Sequence, residues 1–208
     1  MSAVRRAPLV AMSMLCASLV YAQTPPPSPP PAQAQARGNA RATMRVMTLT
    51  TSAFADGGVI PTKHAQAGRD VSPALSWTGA PDSTRAFVLI VHDADAAIGD
   101  GTDDMLHWMV WNIPGTATSL SEAMPQGAQS ANGMRQISGT GPYYRGPAAP
   151  ASGPAHHYVF ELYALDAMVN VPAVGMAVPA TRAAVMAAMA THIRGKGVLV
   201  GLYRRPAP

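Results

Sequence analysis

Cysteine is almost missing from this chain: Cys16 is the only one among 208 residues. No intramolecular disulfide can form, so a hydrophobic core has to stabilise the fold. The chain is long enough for one domain with such a core, and 48% of its residues are hydrophobic, which is enough to fill it. Charged residues are scarce, at 12%. No dense basic run interleaved with aromatic residues occurs, and we therefore expect no binding to nucleic acid.

The N-terminus has the pattern of a secretory signal peptide over residues 1–22. The basic start MSAVRR precedes an apolar run of 16 residues, and Val20 and Ala22 are the small residues expected before a cleavage site at Gln23. A membrane span needs about 20 apolar residues, so this run is short for one, although an N-terminal anchor is the alternative. We expect an exported protein, periplasmic or secreted, with no transmembrane span in the mature chain.

Cleavage after Ala22 would also change the charge and remove the thiol. Without Arg5 and Arg6, the 15 basic and 11 acidic residues become 13 and 11, so the net charge falls from +4 to +2. Leu15, which precedes Cys16, is not the small residue that a lipoprotein signal requires. We therefore expect a mature chain that carries neither a cysteine nor a lipid anchor.

Residues 23–45 contain the run TPPPSPPPAQAQ and almost no large apolar side chains. Proline runs favour the extended polyproline II conformation and cannot bury a core. We predict a disordered linker here, followed by a single domain over residues 46–205.

Apolar patterning in residues 46–205 predicts mostly β-strands. In RAFVLIVHD, residues 85–93, five consecutive apolar residues are typical of a strand covered on both faces. One helix is predicted over residues 179–195, which open with a proline and end at Gly195. Many strands and one helix indicate a mainly β domain, a two-layer sandwich. The other candidate strands are residues 46–54, 106–115, 156–166 and 196–205.

The stretch HDADAAIGDGTDDMLHW, residues 92–108, holds five of the eleven acidic residues and has a histidine at each end. Asp93 and Asp95 follow the buried strand, and on continuing β geometry their side chains would point to the same side. A calcium loop of the EF-hand type is excluded, because Ala97 and Ile98 occupy positions that need an oxygen ligand and a glycine.

Other metal chemistry has little support in this stretch. The HExxH spacing of many zinc sites is absent, and a mixed site that uses His92 and His107 is the alternative that remains. We expect no bound metal and no other cofactor. The simplest interpretation of the outer carboxylates is a solvated loop with Gly99 and Gly101, formed by Asp100, Asp103 and Asp104.

A second stretch, GPYYRGPAAPASGPAHHYVFELYALD over residues 141–166, combines a loop and a strand. Glycines and prolines crowd the loop, which leads into a strand that begins with His156, His157 and Tyr158. These side chains could form a site, or they could be half-buried strand residues with satisfied hydrogen bonds. The stretch by itself leaves both readings open.

Three segments together resemble the phosphatidylethanolamine-binding protein family, most of all its bacterial branch, often described as Raf-kinase-inhibitor-like. They are SPALSWTGAPDSTRAFVLIVHDADA, HWMVWNIPG and YYRGPAAPASGPAHHYVFELYALD, and the final VLVGLYRR also fits that branch. The resemblance runs from about Met47 to Arg204. It implies a large antiparallel sheet packed on a smaller one, with peripheral helices, and a small pocket for anions such as phosphate or a phospholipid head group.

The resemblance also implies which residues form the pocket. The Asp-Pro-Asp motif of the family falls on residues 93–95 and its His-Arg-Tyr motif on residues 156–158. The pocket histidine of the family corresponds to His107, and its Gly-Pro pair corresponds to Gly146 and Pro147. We therefore expect Asp95 and His157 as supporting residues, and no catalytic ones. The expected ligand-binding residues are Asp93, His107, Gly146, Pro147, His156 and Tyr158.

The chain departs from the family pattern at three places. Ala94 and Ala97 replace prolines that would stiffen the loop, so we expect this loop to be freer. His157 stands where the family has an arginine. Ala148 and Ala149 occupy a loop in which bacterial relatives often carry a cysteine. We expect these changes to affect the rigidity of the pocket and the charge at its rim.

Such a pocket would bind an anion through several donors. Two imidazoles, a tyrosine hydroxyl and loop N–H groups would converge on it. We expect Asp93 to orient one histidine, fixing its tautomer and favouring its charged form, rather than to bind metal. Charge-assisted hydrogen bonds of this kind are about twice as strong as neutral ones.

The expected function is that of an exported, non-catalytic binding or regulatory protein. No enzyme is expected, because no G-x-S-x-G elbow is present and the mature chain has no cysteine. One alternative is an inhibitor or partner protein that acts through its surface, independently of the pocket. A hydrolase in which His107, His156 and Asp93 activate water is a less favoured alternative. A protein partner and a homodimer are left open.

Overall fold

The structure is a computed structural model that describes residues 44–207. The expected signal peptide, residues 1–22, and most of the expected linker, residues 23–45, lie outside this part and stay predictions. The first strand already begins at Arg45, which pairs with Gly195. Regular structure thus starts one residue before the predicted domain boundary.

Within the described residues the chain forms β1 (Arg45–Val46), β2 (Thr48–Thr50), β3 (Gly58–Val59), β4 (Leu75–Thr78), β5 (Ala86–Ile98), β6 (Asp103–Pro114), β7 (Ser119–Leu120), β8 (Arg135–Ile137), β9 (His156–Leu165), α1 (Val178–Met189) and β10 (Ile193–Tyr203). A single turn of 3-10 helix covers Thr62–His64. The large sheet has the order β1-β10-β9-β5-β6-β8, with β3 also on β10, and the small sheet has the order β2-β4-β7. The pairs are antiparallel except that β1 and β3 run parallel to β10.

The large sheet is the middle of three layers. Its inner face packs on the small sheet, where the rings of Trp77 and Phe87 lie 5.3 Å apart. Its outer face packs on α1, and Val88 and Val185 belong to that second core cluster. β5 is continuously apolar at its start because both of its faces are buried. The expected mainly β sandwich with a peripheral helix is confirmed.

The predicted single strand over residues 46–54 is wrong in its extent. The chain leaves the large sheet after β1 and joins the small sheet in β2, so it changes sheets at Met47. After β2 the backbone turns inward: Thr51 Oγ1 donates to the carbonyl of Ala74 at 2.5 Å, and Phe54 enters the core. Two short strands and a core loop replace one straight strand.

The predicted helix over residues 179–195 is too long. It ends at Met189, and Gly195 lies in β10. A Cβ atom at position 195 would lie 3.2 Å from the Arg45 carbonyl oxygen and 3.0 Å from Met47 Sδ. This glycine therefore permits the close approach of β1 to β10 and does not end a helix.

Candidate ligand-binding site

Asp93 lies on the inner face of β5, at the point where the strand stops being regular. Its Oδ1 accepts the N–H groups of Asp95 at 3.0 Å and Ala96 at 3.1 Å. The pairing of β5 with β6 shifts register between Asp93 and Ile98. The expected convergence of two aspartates therefore does not occur, because Asp93 is buried and Asp95 is exposed.

His107 is the extra residue of a β-bulge in β6. Val91 pairs with Trp108 and His92 pairs with Leu106, so His107 has no partner on β5. A bulge redirects the side chain at its centre and frees backbone groups. The redirected side chain and the freed backbone carbonyl of His107 both contribute to the site.

The main chain of Arg145 forms hydrogen bonds with His107, which the bulge leaves without a partner on β5. Its N–H donates to the His107 carbonyl at 3.1 Å, and His107 Nδ1 donates to the Arg145 carbonyl at 2.8 Å. The proton of the neutral ring is therefore on Nδ1, and Nε2 is left as an acceptor. Burial lowers the pKa of His107, although the Arg145 carbonyl and the Asp93 charge oppose this. The lowered pKa favours the neutral ring, in which Nε2 is an acceptor and not one of the imidazole donors that we expected from the sequence.

His156 and Tyr158 share one face of β9, since alternate residues of a strand point the same way. His156 Nδ1 donates to Asp93 Oδ2 at 2.9 Å, which is the geometry expected for a carboxylate that orients a histidine. The Tyr158 oxygen accepts the N–H groups of Ala148 and Ala149, each at 3.1 Å. Burial raises the pKa of Tyr158, and the Asp93 charge adds to the rise. The hydroxyl thus stays neutral and braces the loop.

The Gly-Pro pair lies beneath the site and does not line it. The Gly146 N–H donates to Asp70 Oδ1 at 2.6 Å, and both Gly146 and Pro147 are buried. A Cβ atom at position 146 would lie 2.3 Å from the His64 carbonyl oxygen, so only glycine fits. The expectation that loop N–H groups serve as donors for a ligand is wrong, because those of residues 145, 146, 148 and 149 are all used within the protein.

A cavity of about 180 Å³ opens where β5, β6 and β9 meet this loop. Four of the six expected ligand-binding residues line it, and Arg145 adds a cation. Within residues 44–207 the Arg145 guanidinium forms no ion pair. The expected residues that line the cavity are Asp93, His107, His156 and Tyr158; the others are Gln66, Ala96, Met105, Ala148, Ala149 and Pro150.

Sequence reasoning missed Arg145, Gln66 and Met105. Arg145 directly precedes the Gly-Pro pair, which is the one signal that could have identified it. Its place in the cavity depends on backbone contacts with the bulge at His107, and spacing along the chain does not show these. The Gln66 amide donates to the Gly146 carbonyl at 2.7 Å across a long sequence separation.

The two expected supporting residues form a pair outside the cavity. The His157 N–H and Nδ1 contact Asp95 Oδ2 at 2.6 and 2.8 Å. The backbone hydrogen bond from His157 is the largest cause of the lowered pKa of Asp95. The side chains are 56% and 43% exposed, so they tie the end of β5 to β9 at the surface.

The expectation of a solvated loop is wrong for Asp104. It lies in β6 and forms a two-point ion pair with Arg182 of α1, with 3.1 Å between Oδ2 and Nη2. Its Oδ2 is also 2.5 Å from His92 Nδ1. His92 and His107 therefore belong to opposite faces of the large sheet and share no metal site. No group of three metal-ligating side chains occurs among the residues described.

These features are those of a β-sandwich with a small polar cavity at one end of its large sheet. The sequence model of the phosphatidylethanolamine-binding protein family matches residues 50–204, and the chain belongs to this family. The resemblance noted in the sequence is thereby confirmed.

Similar proteins occur in archaea and bacteria. A UPF0098 protein of Methanothermobacter thermautotrophicus is 38% identical over 76% of this chain and 99% of its own length. A Mycobacterium tuberculosis protein with the name lipoprotein LppC is 33% identical over 76% of this chain and 72% of its own length.

Solved structures show the same fold. A phosphatidylethanolamine-binding protein homologue from Chlamydia trachomatis has a TM-score of 0.60 and 29% identity, over 77% of this chain and 99% of that one. Escherichia coli YbcL superposes with a TM-score of 0.64 at 22% identity, over 77% of this chain and 99% of its own. In the stretch from Met44 to Ala207, no helix has both the length and the apolar character to cross a membrane.

Proposed function

We propose that the chain is an exported, non-catalytic binding protein that holds a small anion, phosphate or a phospholipid head group, in the cavity beside Arg145. The observation that carries the proposal is the guanidinium, which lines the cavity without an ion pair among residues 44–207. Arginine presents paired N–H donors in a planar fork that matches a phosphate group. An uncompensated cation of this kind favours an anionic ligand.

The carboxylate in the cavity does not oppose this reading, because donors of the protein already surround it. Asp93 accepts hydrogen bonds from the N–H groups of Asp95 and Ala96 and from His156 Nδ1. Nε2 of His156 is then the ring nitrogen left for a ligand, and it is a donor to an anion in the imidazolium form of the ring. Arg145 and the His156 ring can therefore approach an anion together while Asp93 holds the ring.

The size of the cavity limits the ligand. Pockets for drug-sized molecules measure roughly 300–1,000 Å³, and this cavity has about 180 Å³. It has room for one head group.

The lining residues support binding rather than catalysis. Tyr158 is the one hydroxyl among them, and its pKa is raised by burial. No serine, threonine or cysteine of the described chain lines the cavity, so an activated nucleophile is lacking. A hydrolase at this site would have to activate a water molecule as the attacking nucleophile, which makes that alternative weaker.

Export is proposed from the signal-peptide pattern of residues 1–22. The lipoprotein name of the mycobacterial relative supports an envelope location for that protein. We extend this location to the present chain as part of the proposal.

Calorimetric titration with dimethyl phosphate tests the anion site. This diester keeps a single charge across the histidine range, so protonation of the ligand does not complicate the result. Arg145→Gln keeps the backbone contacts to His107 and removes only the cation. We expect the loss of a hydrogen bond to a charged group, about 1.5–3 kcal/mol, to weaken binding roughly 10- to 150-fold.

The matched control is Arg85→Gln. Arg85 is exposed, precedes the first residue of β5 and has no ion pair within residues 44–207. Its substitution should leave the dissociation constant unchanged at fixed ionic strength. Equal losses in both variants, or no binding to the unmodified protein, would remove the basis of the proposal.

A further inference from the structure

A larger depression lies between the end of the β5–β6 hairpin and α1, with a volume of about 640 Å³. We call it the groove. On the helix side, Val178, Arg182 and Met186 line it at intervals of four residues, so one stripe of α1 forms this wall. On the hairpin side, Ile98 and Met105 line it. The groove is thus formed by two regular elements.

The surface of the groove is mainly apolar. Its rim carries Ile98 and Met186, which are large hydrophobic residues exposed to 37% and 39%. Arg182 and Asp104 also line the groove, where their charges neutralise each other in an ion pair, and Asp103 adds one exposed carboxylate at its edge. Exposed apolar surface arranged around a concave site indicates binding of an apolar group.

The groove adjoins the polar cavity. Met105 lines both of them, so one flexible side chain is the wall between the two. Gly139, which lines the groove, is also close to the cation: a Cβ atom there would lie 3.4 Å from Met105 Sδ and 3.8 Å from Arg145 Nη1. The guanidinium therefore reaches the junction of cavity and groove.

We infer that the groove binds the alkyl chain of a single-chain amphiphile whose anionic head occupies the cavity. The inference rests on the proposed function and adds the second half of the ligand. A cavity of about 180 Å³ holds a head group only, so any substituent on the phosphate has to leave it. The groove lies directly beyond Met105, so a displaced Met105 side chain would let the substituent enter it. Methionine side chains adapt their shape to apolar ligands, and Met105 and Met186 face the chain from opposite walls.

A series of alkyl phosphates tests the inference. Methyl, butyl and octyl phosphate, each kept below its micelle-forming concentration, are titrated into the purified protein. Each methylene that becomes buried should tighten binding by up to about fourfold. If about half of the seven additional methylenes are buried, octyl phosphate should bind roughly a hundredfold more tightly than methyl phosphate.

Two surface substitutions assign the chain to the groove. Met186→Glu and Ile98→Asp each place a charge at its rim; both positions are partly exposed, and urea unfolding of each variant confirms that it is folded before titration. We expect octyl phosphate to bind at least tenfold more weakly to either variant, while methyl phosphate binds as before. Met168→Glu is the matched control, because Met168 is 59% exposed and does not line the groove.

The outcomes separate the two proposals. If methyl phosphate binds but affinity does not rise with chain length, the groove is not a subsite and the anion site stands. If affinity rises equally in the unmodified protein, Met186→Glu and Ile98→Asp, the chain lies elsewhere and the inference is wrong. If no alkyl phosphate binds, both proposals fail.

Discussion

The two faces of the large sheet hold the same three kinds of side chain, a histidine, an aspartate and an arginine, in different arrangements. On the outer face, Arg182 makes a two-point contact with Asp104, and His92 lies against the same carboxylate. The cation and the anion satisfy each other, and the contact joins α1 to the sheet. This cluster stabilises the packing and leaves no free charge.

On the inner face, the arginine is separated from the carboxylate. Asp93 takes His156 and two backbone N–H groups as partners, whereas Arg145 stays without an ion pair in the described chain. We infer from this difference that the partner of the arginine decides what such a cluster does. Where the protein supplies the anion, the cluster is structural, and where it does not, we propose that the cluster binds one.

Neutralising Asp93 and Asp104 in turn should give the largest difference in stability between the two faces. Asp93→Asn removes a buried charge that holds His156, and we expect the free energy of unfolding to fall by about 3 kcal/mol. Asp104→Asn affects a partly exposed pair and should cost about 1 kcal/mol. Urea unfolding of both variants measures the difference. Equal costs, or a larger one for Asp104→Asn, would contradict the contrast.

The next effect concerns the loop that carries the free arginine. Gly146→Ala places a methyl group against the His64 carbonyl and Asp70, and overpacking of this kind costs about 1–3 kcal/mol. Because Arg145 is the adjacent residue, binding of dimethyl phosphate should weaken as well. Gly153→Ala is the control, since a Cβ there meets nothing within 4 Å. Unchanged stability and binding in Gly146→Ala would show that the loop is not so tightly held.

Replacing the paired arginine should separate stability from binding. Arg182→Gln should lower the free energy of unfolding by about 1 kcal/mol, because the pair is partly exposed. Its affinity for dimethyl phosphate should remain within about twofold of the unmodified protein. Arg145→Gln should do the reverse, with normal unfolding and weak binding. A loss of affinity in Arg182→Gln would mean that the two faces are not independent.

The smallest expected effect is a change in the pH dependence of stability. Because burial lowers the pKa of folded His107, the unfolded chain takes up this proton first as the pH falls below about 6.5. The free energy of unfolding should therefore fall with pH below that value, by at most about 1.4 kcal/mol per pH unit from this group. His107→Gln should flatten this part of the profile. Identical slopes in both proteins would argue against a buried neutral ring.

The parts of the fold with long patterns could be predicted from the sequence. The apolar run of β5 and the alternation of β9 span enough residues to show their burial, and they indicate a sandwich. β3, β7 and β8 have only two or three residues each, which is too short for any periodicity. The end of α1 was misplaced because Gly195 serves strand packing, a tertiary effect that local propensity does not report.

The candidate site was predictable where residues lie in regular strands. Asp93, His156 and Tyr158 follow from the alternation of strand residues and from the family motifs, and they do line one cavity. Arg145 could not be found in this way, because a bulge in another strand positions it. Whether these residues bind a ligand stays a prediction.

The most direct test of the inner site follows the imidazole nitrogens by 15N NMR during a titration with dimethyl phosphate. We expect the signals of His107 and His156 to shift together and to saturate with the calorimetric dissociation constant, while those of His92 on the outer face do not move. Shifts at His92, or unchanged signals of His107 and His156 at saturating diester, would contradict the assignment of the anion to this cavity.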